Sequence, residues 1–126
     1  MKNYFTYEEI LCPCCGKQRL NQKFLDKLNL SREDAGISFP ANSMCRCANH
    51  NHEVGGKSWS SHLIDKVDGT ECESFAADIS TIDSASRFKI LRSLFKIGFR
   101  RIGIYETFIH VDDDPSRTPE RSFIGK

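Results

Sequence analysis

The chain has 126 residues, of which 39% are hydrophobic and 28% charged, with a formal net charge of +1. That length supports one modest core, read as a single domain over 1–126, and so even a charge balance excludes a dedicated nucleic-acid binder with a basic face. No apolar run approaches membrane-spanning length and "MKNYFTYEEI" lacks the apolar stretch of a secretory signal, so the expectation is synthesis in the cytoplasm with no membrane insertion.

In chain order, "FTYEEI" reads as a helix start. Thr6 and Glu9 have capping-box spacing, and Phe5 and Ile10 can form a hydrophobic staple. Pro13 ends or interrupts that helix. A second helix is predicted over "QRLNQKFLDKLNL" (Gln18–Leu30), where Leu20, Phe24 and Leu28 lie one turn apart. "GISF" before Pro40 is a short strand candidate. Ala41–Ser61 is polar and rich in Asn, Cys and Gly, and reads as an ordered loop. "FAADIS" (Phe75–Ser80) is a strand with one carboxylate, Asp78, among apolar residues. An acid there is costly unless a positive group meets it.

"DSASRFKILRSLFKIGF" is a helix, with Asp83 or Ser84 as its cap and Gly98 as its stop. "RRIGIY" and "TFIHVD" alternate as strands joined by a turn at Tyr105–Thr107. The tail from Asp113 is charged, carries two prolines, and is expected to pack only at Phe123 and Ile124. The sum is an α+β fold with a small, mostly antiparallel sheet and helices on one side.

Residues two apart in a strand share a face, so Phe108, His110 and Asp112 face one way while Ile109 and Val111 face the core. His62, Asp78 and His110 are then three potential ligands on or beside one sheet. Two imidazoles and a carboxylate leave a tetrahedral zinc one open position, where the ion would bring the pKa of a water to about 7. It would also neutralise Asp78. By spacing alone, the plainer reading of "HVD" is a solvent-facing alternation.

Several motifs fall in a further order: "FTYEE" (Phe5–Glu9), "SMCR" (Ser43–Arg46), "NHEVGG" (Asn51–Gly56), "SSH" (Ser60–His62), "AADI" (Ala76–Ile79) and "GIYETFIHVD" (Gly103–Asp112). With them the chain resembles the zinc D-Ala-D-Ala carboxypeptidase family, and within it the short phage and bacterial peptidoglycan peptidases, related in fold to lysostaphin and the Hedgehog signalling domain. The resemblance implies Zn²⁺ held by His62, Asp78 and His110. It also implies a substrate carboxylate or carbonyl on Arg46, whose guanidinium fork suits that task, and a substrate backbone on Ser60. Without the resemblance, Arg46 reads as a surface ion pair and Ser60 as a turn hydroxyl. The implied function is a zinc peptidase, acting as a monomer on peptidoglycan stem peptides or cross-bridges, as a D-Ala-D-Ala carboxypeptidase or endopeptidase. The absence of a signal suits a phage endolysin released to the wall, or a virion-borne hydrolase. The rival reading is a non-catalytic, zinc-stabilised binding module of the same fold.

The chain departs from the family pattern in three places. Asp78 follows His62 by sixteen residues instead of seven, so "IDKVDGTEC" reads as an inserted loop, which costs little entropy. "S-M-C-R" replaces "S-G-Y-R", with a changed pocket wall expected at Met44 and Cys45. Thr107 stands where many members carry an acid. Two carboxylates compete for the general base. Asp112 lies about 7 Å along the strand from His110 and on its face, whereas Glu106 lies about 13 Å away unless the chain bends near Tyr105. The alternative role of Asp112 is only to orient His110, and it stands slightly ahead as base.

Other signals carry less. "GGKS" lacks the earlier glycine of a P-loop, "DDD" at Asp112–Asp114 lacks the spaced ligands of a calcium loop, and a nucleophilic Cys45 or Cys47 has no obvious base. Cys12 and Cys15 have the spacing of a zinc knuckle, but Cys45 and Cys47 are one residue apart, unusual for its second half. Free or buried thiols are the alternative.

Overall fold

The computed structural model describes residues 2–118 and 121–124. Pro119, the second proline of the tail, lies outside them.

Helix α1 (Tyr7–Ile10) starts where the capping box places it. Thr6 Oγ1 accepts the Glu9 N–H, and a Glu9 carboxylate oxygen accepts the Thr6 N–H at 2.9 Å. The other Glu9 oxygen accepts the N–H of Ala41, which ties the helix to the first strand. Helix α2 is Gln22–Ala35, displaced toward the C-terminus from the expected Gln18–Leu30. The Asn21 side chain accepts the Phe24 N–H at 2.9 Å and fixes the start, and Leu20 is drawn off into a bridge with Ser74. The helix runs on to Gly36, whose φ of 68° gives the left-handed cap.

Because Gly36 serves as that cap, "GISF" forms no strand. Phe39 is buried in the core, and strand β1 is Ala41–Ser43, after Pro40. The segment read as a loop also holds helix α3 (Ala48–Glu53). Its start depends on groups distant in sequence: Asp65 accepts the Ala48 N–H at 2.7 Å, beside the Cys47 sulfur that accepts the His50 N–H.

Strand β2 (Ala76–Ser80), helix α4 (Ser84–Ile97), and strands β3 (Arg101–Ile104) and β4 (Phe108–Asp112) follow as expected. Asp83 is the cap of α4, and Gly98 ends it at φ 107°. Helix α4 buries Ile90, Ser93 and Leu94, leaving Phe88 and Phe95 exposed. The tail differs from expectation. Arg121–Ile124 is a fifth strand, β5, parallel to β3, and only Phe123 is partly covered, since Ile124 is 87% exposed. Sequence alternation cannot show this pairing, because its partner edge is made by β3.

The sheet order is β1-β2-β4-β3-β5, with every pairing antiparallel except β3 with β5. Helices α2 and α4 pack on each other, and Phe24, Leu28, Ile90 and Leu94 join Ile79, Ile102, Ile109 and Val111 in one core. Alternation then sends Asp78, Gly103, His110 and Asp112 to the opposite face. Registers of Asp78 with His110 and of Gly103 with His110 set these residues side by side. The Phe123 ring lies over Gly103, where a Cβ would come within 2.2 Å of it. Gly103→Ala should therefore force the ring outward and destabilise by about 1–3 kcal/mol, as overpacking does. Urea unfolding measures the loss, and faster hydrogen exchange confined to β5 and its β3 partners locates it.

Candidate metal centre

Asp78 sits at the middle of β2 and is 7% exposed. Three nitrogen-bearing side chains meet it. Its Oδ1 lies 2.9 Å from His110 Nδ1 and 3.2 Å from His62 Nε2, and its Oδ2 accepts from Arg46 Nη2 at 3.1 Å. The remaining nitrogen of each imidazole is held from outside. His62 Nδ1 lies 2.9 Å from the Met44 carbonyl, and His110 Nε2 lies 2.8 Å from Asp112 Oδ2. A carbonyl only accepts, so His62 carries its proton on Nδ1 and turns the Nε2 lone pair inward. Asp112 directs the proton of His110 to Nε2 in the same way. Both rings thus present their inner nitrogens to one point beside Asp78 Oδ1, with ligand atoms of all three residues within 4.8 Å of one another. Imidazoles with the outer N–H tied to an oxygen acceptor are the arrangement by which proteins orient metal-binding histidines.

Each of the three comes from a different element. His62 lies outside the strands, on a segment bridged in parallel to Arg46: the Arg46 N–H donates to the His62 carbonyl and the Ile64 N–H to the Arg46 carbonyl, both at 2.9 Å. The sixteen-residue spacing closes because the insert folds on itself. Asp65 pairs with Glu71, Gly69 turns the chain at φ 87°, and the Cys72 N–H returns to the Ile64 carbonyl. The Phe75 N–H then reaches the Ser61 carbonyl at 2.9 Å, one residue from His62 and three from Asp78.

Burial lowers the pKa of His62, and Asp78 only partly offsets it. At His110 burial also pulls downward, but hydrogen bonds to Asp112 and Asp78 prevail and raise it to about 9. Burial would raise the Asp78 carboxyl, yet the two imidazoles hold it well below the usual carboxylate range. The metal-free centre is therefore an Asp78 carboxylate between a neutral His62 and a protonated His110.

Arg46 and Ser60 both line the cleft above this centre, with Trp59, Arg101, Tyr105 and Phe123, in a volume of about 650 Å³. Arg46 is fixed on three sides, by Ser43 Oγ at 3.0 Å, Asn51 Oδ1 at 3.3 Å and Asp78. Ser60 Oγ accepts the His62 N–H at 3.2 Å, a turn contact that leaves its own proton uncommitted. Asp112 is 2% exposed and holds Arg101 Nε at 2.8 Å with the oxygen that His110 does not use. Glu106 is exposed on the Tyr105–Thr107 turn, where the chain does bend. Its carbonyl and that of Tyr105 accept from Arg87.

Met44 and Cys45 do not form a pocket wall. Both are wholly buried in the core, and burial pushes the Cys45 thiol up to about 11, which leaves it no nucleophile. What Met44 gives the centre is its backbone carbonyl. The "DDD" carboxylates diverge: Asp113 pairs with Lys27 and Asp114 with Ser61, so they share no ion with Asp112.

Sequence reasoning missed Asn51, Arg101 and Phe123. Asn51 is 4% exposed and links Arg46 to the Lys57 carbonyl, and the bare Cα of Gly56 lets it fit, since a Cβ there would lie 2.0 Å from Asn51 Oδ1. Its signal was present in the "N-x-x-V-G-G" motif. Arg101 and Phe123 had none, because strand pairing alone brings them over the site.

His110 must lose its proton to bind an ion. Zn²⁺ added near neutral pH should therefore release about one proton per ion, measured by calorimetry in buffers of different ionisation enthalpy. Affinity should rise with pH up to about 9 and level off above it. In the metal-free protein the sign reverses: the raised pKa stabilises the fold fully below about 6.5, and that contribution fades as pH climbs through about 9. Binding without proton release would remove His110 from the ligand set.

A family model described as Peptidase M15 matches residues 3–112, a span that takes in α1, Arg46, Ser60, all three candidate ligands and Asp112. Among curated proteins and among solved structures, none matches the chain. Among the described residues no helix is long and apolar enough to cross a membrane. The order of motifs, the shared face of Asp78 and His110, and the match over most of the length agree, and the chain belongs to the peptidase M15 family.

Proposed function

We propose that the protein is a zinc-dependent peptidase that cleaves peptidoglycan stem peptides or cross-bridges. The observation that carries this reading is the convergence of His62 Nε2 and His110 Nδ1 on Asp78 Oδ1, with both outer nitrogens tethered. When bound, the ion supplies Lewis acidity toward water and the scissile carbonyl. Two imidazoles and one carboxylate, with an open cleft on the remaining side, suit zinc in that role.

The chain's own residues hold the substrate. Arg46 has five N–H donors and spends three on Ser43, Asn51 and Asp78, so its two terminal nitrogens keep donors for a substrate carboxylate or carbonyl. Ser60 offers its free hydroxyl proton to the substrate backbone. The cleft is lined by four cationic residues, Arg46, Lys57, Arg101 and Arg117, against two carboxylates, Asp78 and Asp112. That excess suits peptides that carry free carboxylates, as stem peptides do. Trp59, Tyr105, Phe108 and Phe123 supply apolar walls. D-Ala-D-Ala, L-Ala-D-Glu and cross-bridge bonds are the candidate targets, and action on the wall as an endolysin or virion component, by a monomer, completes the reading.

Digestion of purified peptidoglycan, followed by mass spectrometry of the fragments, tests it. Fragments should appear with the zinc-loaded protein, disappear on chelation, and return on adding zinc. A zinc-loaded protein that binds the wall but releases nothing would establish the non-catalytic module instead.

Asp112 has two available roles. Its engagement by both His110 and Arg101 supports the orienting role, because both of its oxygens are already held. Asp112→Asn keeps an acceptor for His110 but loses the charge. It should weaken zinc binding about 10–100-fold, as loss of such a tether does, and activity should recover in excess zinc. Lost turnover at saturating zinc would make Asp112 the base. The same loss in Glu106→Gln, with zinc retained, would assign the base to Glu106.

A further inference from the structure

The N-terminal cysteines take no part in the cleft. After α1 the chain makes a tight turn: the Cys12 N–H donates to the Lys17 carbonyl and the Gly16 N–H to the Cys12 carbonyl, each at 2.8 Å, with Gly16 at φ 71°. This turn folds Cys15 back beside Cys12. Cys47 arrives from far along the chain, as the residue that caps α3. The sulfurs of Cys12, Cys15 and Cys47 all lie within 4.8 Å of one another. A tetrahedral zinc with Zn–S bonds of about 2.3 Å would hold its sulfurs about 3.8 Å apart, a separation that small adjustments of these side chains reach.

Hydrogen-bond donors reach the sulfurs of this turn. The Cys47 N–H donates to Cys12 Sγ at 3.3 Å, the His50 N–H to Cys47 Sγ at 3.4 Å, and Asn49 Nδ2 to Cys14 Sγ at 3.5 Å. Amide donors aimed at sulfur are the usual support of a thiolate metal site. A single disulfide would use two of the sulfurs and strand the third. All six cysteines are free.

We propose that Cys12, Cys15 and Cys47 hold a second, structural zinc. Cys45, one of the pair considered for the second half of a knuckle, is outside the cluster. The consequence reaches the cleft. Cys47 follows Arg46 directly and opens the helix that carries Asn51, so an ion here clamps the α1–α2 turn to the segment that aims Arg46 at Asp78. The two ions would thus have separate tasks, one in the chemistry and one in holding the strut beside it.

Metal analysis of protein purified under reducing conditions tests this. The wild type should hold two equivalents of zinc, and His62→Ala should hold one. Cys15→Ser, at an exposed position, and Cys47→Ser should each hold one as well, while Cys45→Ala keeps both. Cobalt substitution gives a second readout that needs no variant. The loaded wild type should show the near-ultraviolet sulfur-to-cobalt charge-transfer band, and it should survive in His62→Ala and vanish in Cys15→Ser. The proposal is overturned by a single equivalent that His62→Ala removes, by a Cys15→Ser protein that keeps two equivalents, or by cobalt-loaded wild type without the sulfur band.

Discussion

Asp78 places an ionised carboxylate on a strand whose neighbours, Ala76, Ala77 and Ile79, are wholly buried. Without partners a charge so placed would cost several kcal/mol. The structure meets it with the donors of His110 and Arg46 and sets the His62 ring beside them, three side chains from three separate segments, and each is itself anchored. His62 leans on the Met44 carbonyl, His110 on Asp112, and Arg46 on Asn51 and Ser43. Those anchors extend outward in turn, from Asp112 to Arg101 and from Asn51 to the Gly56–Lys57 turn. The polar face of the sheet is thus one connected network centred on a single oxygen pair.

Such a network is satisfied but poised. Two imidazole nitrogens and a carboxylate oxygen crowd one point, and a shared proton on His110 holds them together in the metal-free protein. A divalent ion at that point would replace the proton with a stronger charge and keep every outer tether in place. The cost of building the site is met by the other face. Ile79, Ile109, Ile102 and Val111 pack against α2 and α4, so the register of the strands that carry the candidate ligands is fixed.

Three features outside the central strands contribute to the rim of the cleft. The loop after α3 brings Val54, Gly55 and Gly56 to the rim, the His62 segment brings Trp59 and Ser60, and the C-terminal strand brings Phe123. The long insert between His62 and Asp78 changes little at the centre itself, because its own hairpin brings its ends together before β2 begins.

Local patterns in the sequence determined much of this protein. The capping box at Thr6 and Glu9, the cap and stop of α4 at Asp83 and Gly98, and the alternation of "FIHVD" depend on neighbouring residues, so they were legible without a fold. Alternation also put His110 and Asp112 on one face, and the ordered motifs pointed to His62, Asp78 and Arg46. Tertiary structure decided whatever required a distant partner. Helix α3 starts where Asp65 takes up the Ala48 N–H, β5 forms because β3 offers an open edge, and the start of α2 shifts because Leu20 is claimed by Ser74. The contact of Asp112 with Arg101 belongs to the same class. Sequence placed it near His110, but only the fold set Arg101 against it, through the β3–β4 pairing that aligns Arg101 with Asp112. A residue's face follows from its strand's own period, whereas its partners follow from which strands meet, and that is fixed by burial of the whole core.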